Sequence, residues 1–340
     1  MKLARGVLAH SLAPATRQGY RSAVKSVNDF CVLHGMRLTL PISADTLCLW
    51  IAHSSTRLSH KTIRVYLHGI ATTHVELGYA NPLEGTGTIM RMYTGVKRLQ
   101  GEGISRTRLP ITVEILERLE RWQDVATHDG RMLRAAMWLG TCGLLRSGEF
   151  ATRGRDSVIL RRADLTFVSD EGAETLTPPP LDFIVYMKLR LRQSKTDPFR
   201  RGVDVVISQR RAISVMLLYL ASAPPLQEDD PLFLSLSGRE LTVPVLVSGT
   251  QALLERAGSH NPQLYKGHSF RRGGATSLHL AGLPDTTIKA MGRWRSFAFA
   301  VYVDTPITQL IEAGRALSAR QGNGKTVTFG PQVWKTPLWE

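Results

Sequence analysis

The sequence has 340 residues, 43% hydrophobic and 21% charged, ordinary for a globular chain long enough to form two domains with a sizeable core. Its 43 Lys and Arg against 28 Asp and Glu give a formal charge of +15, which calls for an anionic partner, nucleic acid before an acidic membrane surface. There is no apolar run of roughly eighteen residues to span a membrane, and MKLARGVLAHSLAPATRQ lacks the continuous apolar stretch of a signal or anchor. Three scattered cysteines (Cys31, Cys48, Cys142) argue against a disulfide framework and a cysteine zinc site, so an intracellular chain without structural metal is expected.

Residues 11–100 read as helices only. Thr16 opens a segment with Tyr20, Val24, Val27 and Phe30 at helical spacing, closed by Gly35. Ser43 and Asp45 precede a second helix, TLCLWIAHSS; Ser59 precedes a third, HKTIRVYLHGIATTHVELG, which Gly78 ends; TIMRMYTGVKRL is a fourth. Arg57, Ser59, His60, Lys61, Thr62 and Arg64 cluster where the third helix begins, a candidate seat for a phosphate, although a solvated charged face reads the same way. The Gly-rich basic segment GEGISRTRLP, with Arg106 and Arg108, reads as an exposed linker along a polyanion, and a domain boundary falls there.

Beyond it the pattern changes. Thr112 starts an amphipathic helix, VEILERLERWQ, and the more buried RMLRAAMWLGTCGLL runs into Arg146-Ser147-Gly148-Glu149, where Glu149 can hold the Arg146 guanidinium. LDFIVYMKLRL and GVDVVIS are strand-like and flank RQSKTDPFRR, so Lys195 is expected near a hairpin tip with Arg200 and Arg201 beside it. ISVMLLYLASA is helical, PLFLS and ELTVP are short apolar or strand-like runs, and VLVSGTQALLERAG is a further helix.

The stretch from Gly267 to Tyr302 carries the most chemistry. His268 and Arg271 share a helix face, with Arg272 turned away from it as a further candidate for DNA. Gly282 and Pro284 end that helix, Asp285 or Thr286 can cap the next, and Ile288 and Met291 are expected to face inward. Gly292-Arg293-Trp294 and Tyr302 follow, then an amphipathic helix, PITQLIEAGRALSARQ, and an aperiodic tail whose Trp334 and Trp339 suggest docking. Cations to hold phosphate oxygens, an imidazole to move a proton and a phenol to attack would suit a phosphodiester. Each motif taken singly is more often a solvated face or core than a catalytic group, so the case rests on the set. There is no internal repeat, Gly-rich phosphate loop or carboxylate cluster with metal-ligand spacing.

In order, LLRSGE, SKTDPFRRG, GHSFRRGGAT and MGRWRSFAFAVY resemble the first-arginine box, the β-hairpin lysine, the His-x-x-Arg box and the nucleophile box of the tyrosine recombinases, or phage integrase family. SKTDPF and GRW look most like the crypton and DIRS types of eukaryotic mobile elements. The resemblance spans roughly residues 12–320. It implies a mainly α fold with a small β-sheet or hairpin: a helical core-binding (SAM-like) DNA-binding domain over 1–105, an α+β catalytic domain over 106–320 and a tail over 321–340, the two domains forming a C-shaped DNA clamp. One departure stands out. The family usually has His or Trp directly after the glycine of the last box; here Arg293 holds that place and Trp294 follows. Trp294 is the preferred candidate, since an indole N–H can donate to phosphate and its bulk can buttress Tyr302.

The resemblance implies DNA strand exchange without metal or cofactor. Tyr302 attacks, leaving a 3′-phosphotyrosine and a free 5′-hydroxyl; His268 accepts the phenolic proton; Arg146 and Arg271 clamp the non-bridging oxygens; Lys195 protonates the leaving oxygen; Glu149 and Arg293 support. Double-stranded DNA and a homotetramer on two duplexes are the implied partners, and the nucleus is the implied compartment if the host is eukaryotic. A type IB topoisomerase and a catalytically silent, domesticated DNA-binding protein are the competing readings.

Overall fold

The computed structural model describes residues 11–85, 87–101, 108–154, 157–193, 197, 201–224, 226–295, 311 and 315. The chain divides into two compact units, 1–106 and 107–340.

The smaller unit holds four helices among its described residues: α1 (Pro14–Leu33), α2 (Ala44–Ser55), α3 (His60–Glu76) and α4 (Gly87–Gln100). Helix α1 opens at Pro14 rather than at Thr16, because a proline at the first helical position gives up an N–H that would be unpaired anyway. Ser43 and Ser59 cap α2 and α3 by accepting from the N–H groups of Thr46 and Thr62, each at 3.2 Å. Apolar residues at helical spacing then meet in one core: Ala23, Val27 and Phe30 of α1, Leu47, Trp50 and Ile51 of α2, Ile63, Leu67 and Ile70 of α3, and Ile89, Tyr93 and Val96 of α4. Helix α1 packs on α3, where Gly69 permits contact with Tyr20; a Cβ there would lie 2.8 Å from the ring. Buried His74 is fully used: its Nε2 accepts from the Ile42 N–H at 2.9 Å, so its Nδ1–H donates to the Ile70 carbonyl at 2.8 Å.

The larger unit is built around α6 (His128–Cys142), which follows α5 (Val113–Leu119) and is buried nearly all round. Next come the one-turn helix α7 (Ser147–Phe150), strands β1 (Leu165–Val168), β2 (Glu174–Thr175), β3 (Tyr186–Leu191) and β4 (Val203–Ile207), then α8 (Arg210–Ser222), α9 (Val243–Arg256), α10 (Ser269–Leu280) and α11 (Asp285–Met291). The strands form one antiparallel sheet in the order β2-β1-β3-β4, with Met187 opposite Ile207 and Leu189 opposite Val205 on the buried face. Arg190 faces Asp204 on the other face, at 3.1 Å. Helices α8, α9 and α10 all pack on α6, placing Trp138, Met137 and Leu139 at the centre of the core.

Several local expectations are corrected. Residues 181–183 form a 3₁₀ turn, so the third strand begins only at Tyr186. PLFLS and ELTVP add no strand to the sheet; they meet in an isolated bridge, Leu234 to Glu240, and Thr242 caps α9 instead. Helix α11 has Pro284 as its N-cap with no side-chain cap, so Asp285 and Thr286 lie inside its first turn. Ile288 is fully buried, but Met291 is exposed. The region after residue 295, including Tyr302 and the expected last helix, lies almost entirely outside the described residues, as do Lys195, Arg200 and Arg106.

Candidate active site

Three segments of the larger unit meet at one place: the exit of α6 into α7, the start of α10, and the turn after α11. Two glycines of α10 permit it. A Cβ on Gly274 would sit 2.1 Å from the Thr141 carbonyl oxygen of α6, and one on Gly273 would sit 1.7 Å from the Ile111 carbonyl oxygen. No larger residue fits either position without moving backbone.

Arg146 is the N-cap residue of α7, and Glu149 closes back on it. The Arg146 N–H donates to Glu149 Oε2 and its Nη1 to Oε1, both at 2.9 Å. The other guanidinium N–H groups of Arg146 meet no acceptor among the described residues, so they are available to an incoming oxyanion. Glu149 also accepts from Arg293 Nη2 at 3.0 Å, so one buried carboxylate joins two arginines.

Arg271 is almost wholly enclosed, at 1% exposure. Its Nη1 donates to the Leu144 carbonyl at 2.7 Å and its Nη2 to the Gly292 carbonyl. The Leu144 carbonyl accepts from Arg293 as well, at 3.2 Å, and the Gly143 carbonyl takes Arg293 Nη1 at 3.3 Å. Leu144 and Arg293 both adopt left-handed backbone, with φ of +46° and +57°, so this hub rests on two strained residues. Burial pulls the Arg293 guanidinium down from its ordinary value, against the pull of Glu149.

The Trp294 ring centroid lies 4.3 Å from the Arg271 guanidinium carbon, a cation–π stack. Gly292 makes room for it: a Cβ there would fall 1.7 Å from the indole. Arg293 and Trp294 thus divide the work at the point where the sequence left a choice. The arginine turns inward onto Glu149, and the indole covers Arg271.

His268 is half-buried as the N-cap residue of α10. Burial first, then the guanidinium groups of Arg108, Arg153, Arg271 and Arg146, hold its imidazole below the ordinary histidine range. Both causes favour the neutral imidazole, the form that can accept a proton. Cys142, at the end of α6, has its thiol pushed up to about 12 by burial and is chemically quiet. Among the described residues no three His, Cys, Asp or Glu side chains converge as metal ligands would, and no helix is long and apolar enough to cross a membrane.

The structure thus brings Arg146, Glu149, His268, Arg271, Arg293 and Trp294 together, with exposed Arg108 at the edge. Lys195 and Tyr302 lie outside the described residues; the hairpin that carries Lys195 is present as β3 and β4. Arg272 is half-buried on α10 and Arg201 is exposed two residues before β4, its carbonyl accepting from Arg190 at 2.8 Å. In the smaller unit Arg57, Ser59, Lys61 and Arg64 are exposed and Thr62 is half-buried. His60 departs from expectation: its side chain is buried, and its N–H is tied to Gln100 at 2.6 Å, which leaves it little surface to present to DNA. Arg153 escaped the sequence reading. It follows the one-turn helix, where no periodicity places a side chain.

No protein-family model matches the chain. It is 24% identical over 301 residues to an integrase/recombinase, a xerD homolog of Selenomonas ruminantium, covering 85% of this chain and 81% of that one. Three solved structures illustrate the shared fold. XerH recombinase bound to palindromic difH in a post-cleavage complex matches at TM-score 0.59 and 15% identity, over 88% of this chain and 79% of that chain. The Tn1549 transposon integrase with transposon right-end DNA matches at TM-score 0.55 and 13% identity, over 91% and 95%. A lambda integrase dimer bound to a COC′ core site matches at 0.53 and 14%, over 89% and 93%. Over most of its length the chain is thus similar in sequence to an integrase/recombinase homolog, and it shares its fold with solved recombinase and integrase structures.

Proposed function

We propose that the protein is a site-specific DNA recombinase that cleaves and rejoins strands through a 3′-phosphotyrosyl intermediate, with Tyr302 as the nucleophile. The observation that carries this reading is the convergence of His268, half-buried at the start of α10, with the guanidinium groups of Arg146, Arg271, Arg108 and Arg153, which favour its neutral form. A phosphodiester under attack needs that pair of properties. Cations stabilise the charge that grows on its non-bridging oxygens, and an unprotonated base takes up the proton of a phenol whose ordinary pKa is about 10.

In the proposed reaction Tyr302 Oη attacks the phosphorus, His268 accepts its proton, and Lys195 protonates the 5′-oxygen as its bond to phosphorus breaks. Arg146 and Arg271 hold the oxyanions. Arg293 acts indirectly, fixing Glu149 and through it Arg146, while Trp294 holds the Arg271 plane from one side. Return attack by a 5′-hydroxyl from a second duplex restores a phosphodiester and frees the tyrosine, so no external energy source enters. Two cleavages in each of two duplexes call for four protomers. The smaller unit, with Arg57, Lys61 and Arg64 exposed, binds duplex DNA in this reading. The relationship to a transposon integrase fold supports a mobile-element role. In a nucleated host the reaction would take place in the nucleus.

The test is covalent trapping with nicked DNA from the flanks of the protein's own locus. Wild type should give a DNA-linked band on a denaturing gel, and Tyr302→Phe none. Salt-sensitive binding without a band from wild type would point to a silent binding protein. A band without recombination of two such sites would point to strand relaxation.

A further inference from the structure

Arg153 stands seven residues after Arg146, just past α7, and its backbone is pinned on both sides. The neighbouring Thr152 bonds Leu241 through its N–H at 2.8 Å and Val243 through its carbonyl at 2.9 Å, and the Arg153 N–H donates to Ser157 Oγ at 2.9 Å. From this fixed point the side chain folds back across Gly148, where a Cβ would lie 3.0 Å from Arg153 Nε, and its Nη2 donates to Ser147 Oγ at 3.3 Å. Ser147 is fully buried and presses on Gly267, the residue before His268; a Cβ on Gly267 would lie 2.4 Å from that hydroxyl. Arg153 therefore sits on the rim between Arg146 and His268. Its residue is exposed, and among the described residues no carboxylate pairs with it. Beside it opens a groove of about 580 Å³ that Thr152, Arg161 and Thr242 also line, together with one carboxylate, Glu240.

A guanidinium anchored through its backbone and held by a single weak bond to a neutral hydroxyl keeps most of its donors for a ligand. We propose that Arg153 is a further phosphate-binding residue of this site, gripping the DNA phosphate adjacent to the one that Arg146 and Arg271 clamp. The inference rests on the DNA-cleaving reading given above. It assigns Arg153 a second consequence as well: its charge disfavours the imidazolium form of His268, so it helps to keep the proton acceptor ready.

Arg153→Gln tests this by removing the charge while keeping a polar side chain, and Arg153→Lys restores the charge. Equilibrium binding of the full chain to a mixed-sequence DNA duplex is measured against salt, and covalent trapping on the nicked substrate is measured against pH. Arg153→Gln should weaken binding about ten-fold, as for one charge-assisted hydrogen bond, and should make the log–log salt slope shallower by about 0.9. The acid limb of its cleavage profile should move to higher pH, and Arg153→Lys should recover both properties. An unchanged salt slope in Arg153→Gln with a wild-type melting temperature overturns the proposal, even if the acid limb moves. If wild type binds DNA but never becomes linked to it, the recombinase reading fails, and the salt slopes still decide whether Arg153 touches phosphate.

Discussion

Arg57, Lys61 and Arg64 of the smaller unit lie exposed at and just before the first turns of α3, whereas Arg271 and Arg293 of the larger unit are drawn inside and held on carbonyls and a carboxylate. The smaller unit satisfies its buried polar groups with backbone partners, as His74 does between Ile42 and Ile70, and leaves Arg57, Lys61 and Arg64 to solvent. Exposed cations attract a polyanion over a distance and lose strength to salt. Enclosed ones cost desolvation energy that backbone dipoles must offset, yet in a low dielectric they act strongly on charge that develops beside them. In the proposed reading, two regions of one basic chain thus divide affinity from chemistry, and the difference lies in burial rather than in residue type.

The comparison breaks most sharply at Arg271. Arg271→Ala should lower the rate of covalent linkage at least about a hundred-fold, because a fixed oxyanion donor is lost. It should also destabilise the fold by about 3 kcal/mol, because the Gly292 carbonyl loses its guanidinium donor, the Leu144 carbonyl keeps only Arg293, and the space of a large buried side chain is emptied. Single-turnover trapping and denaturant unfolding measure the two effects.

Glu149→Gln comes next. Neutralising the carboxylate that joins Arg146 and Arg293 should cost about 3 kcal/mol of stability in denaturant titration, since two guanidinium groups lose their shared counter-charge. If Arg293 acts only through Glu149, the double variant with Arg293→Met should cleave no more slowly than Glu149→Gln alone. Additive losses would mean that Arg293 reaches the phosphate itself.

The effect of pH on His268 is smaller. Its folded pKa lies below its unfolded value, so the unfolded chain binds the proton more readily and stability falls as pH drops from the unfolded value toward the folded one. Cleavage should fade over the same acid range as the base becomes protonated. His268→Gln should lose most of the activity together with this contribution to the pH dependence of stability, as pH-resolved melts and trapping would reveal.

The mildest change is expected in the smaller unit. Lys61→Ala should make the salt slope of DNA binding shallower by about 0.9 and leave stability within about 0.5 kcal/mol of wild type. A loss of the cleavage step at saturating DNA would contradict the division between the units.

Much of this was legible in the chain because its signals are local. Ser43, Ser59 and Thr112 announce helix starts through hydroxyls that accept from N–H groups three residues on. The period of Val27, Phe30, Ile63, Leu67 and Ile70 marks buried faces. Strands β1 and β2, of four and two residues, are too short for a period to register, and residues 231–241 are ordered by isolated bridges, one internal and one to distant Arg161, rather than by any periodic pattern.

Residue types and their order therefore determined the helical character of residues 11–100, the cationic surface and the set Arg146, Glu149, His268 and Arg271. Tertiary structure alone decided that Arg293 turns inward to Glu149 while Trp294 stacks on Arg271, that His60 is buried, and that Arg153 reaches the rim of the site. The physical reason is common to all three. Spacing along a chain fixes which residues share one helix face, but a bond between the α6–α7 junction and the turn after α11 depends on where packing and glycine-permitted close approach bring separate segments together.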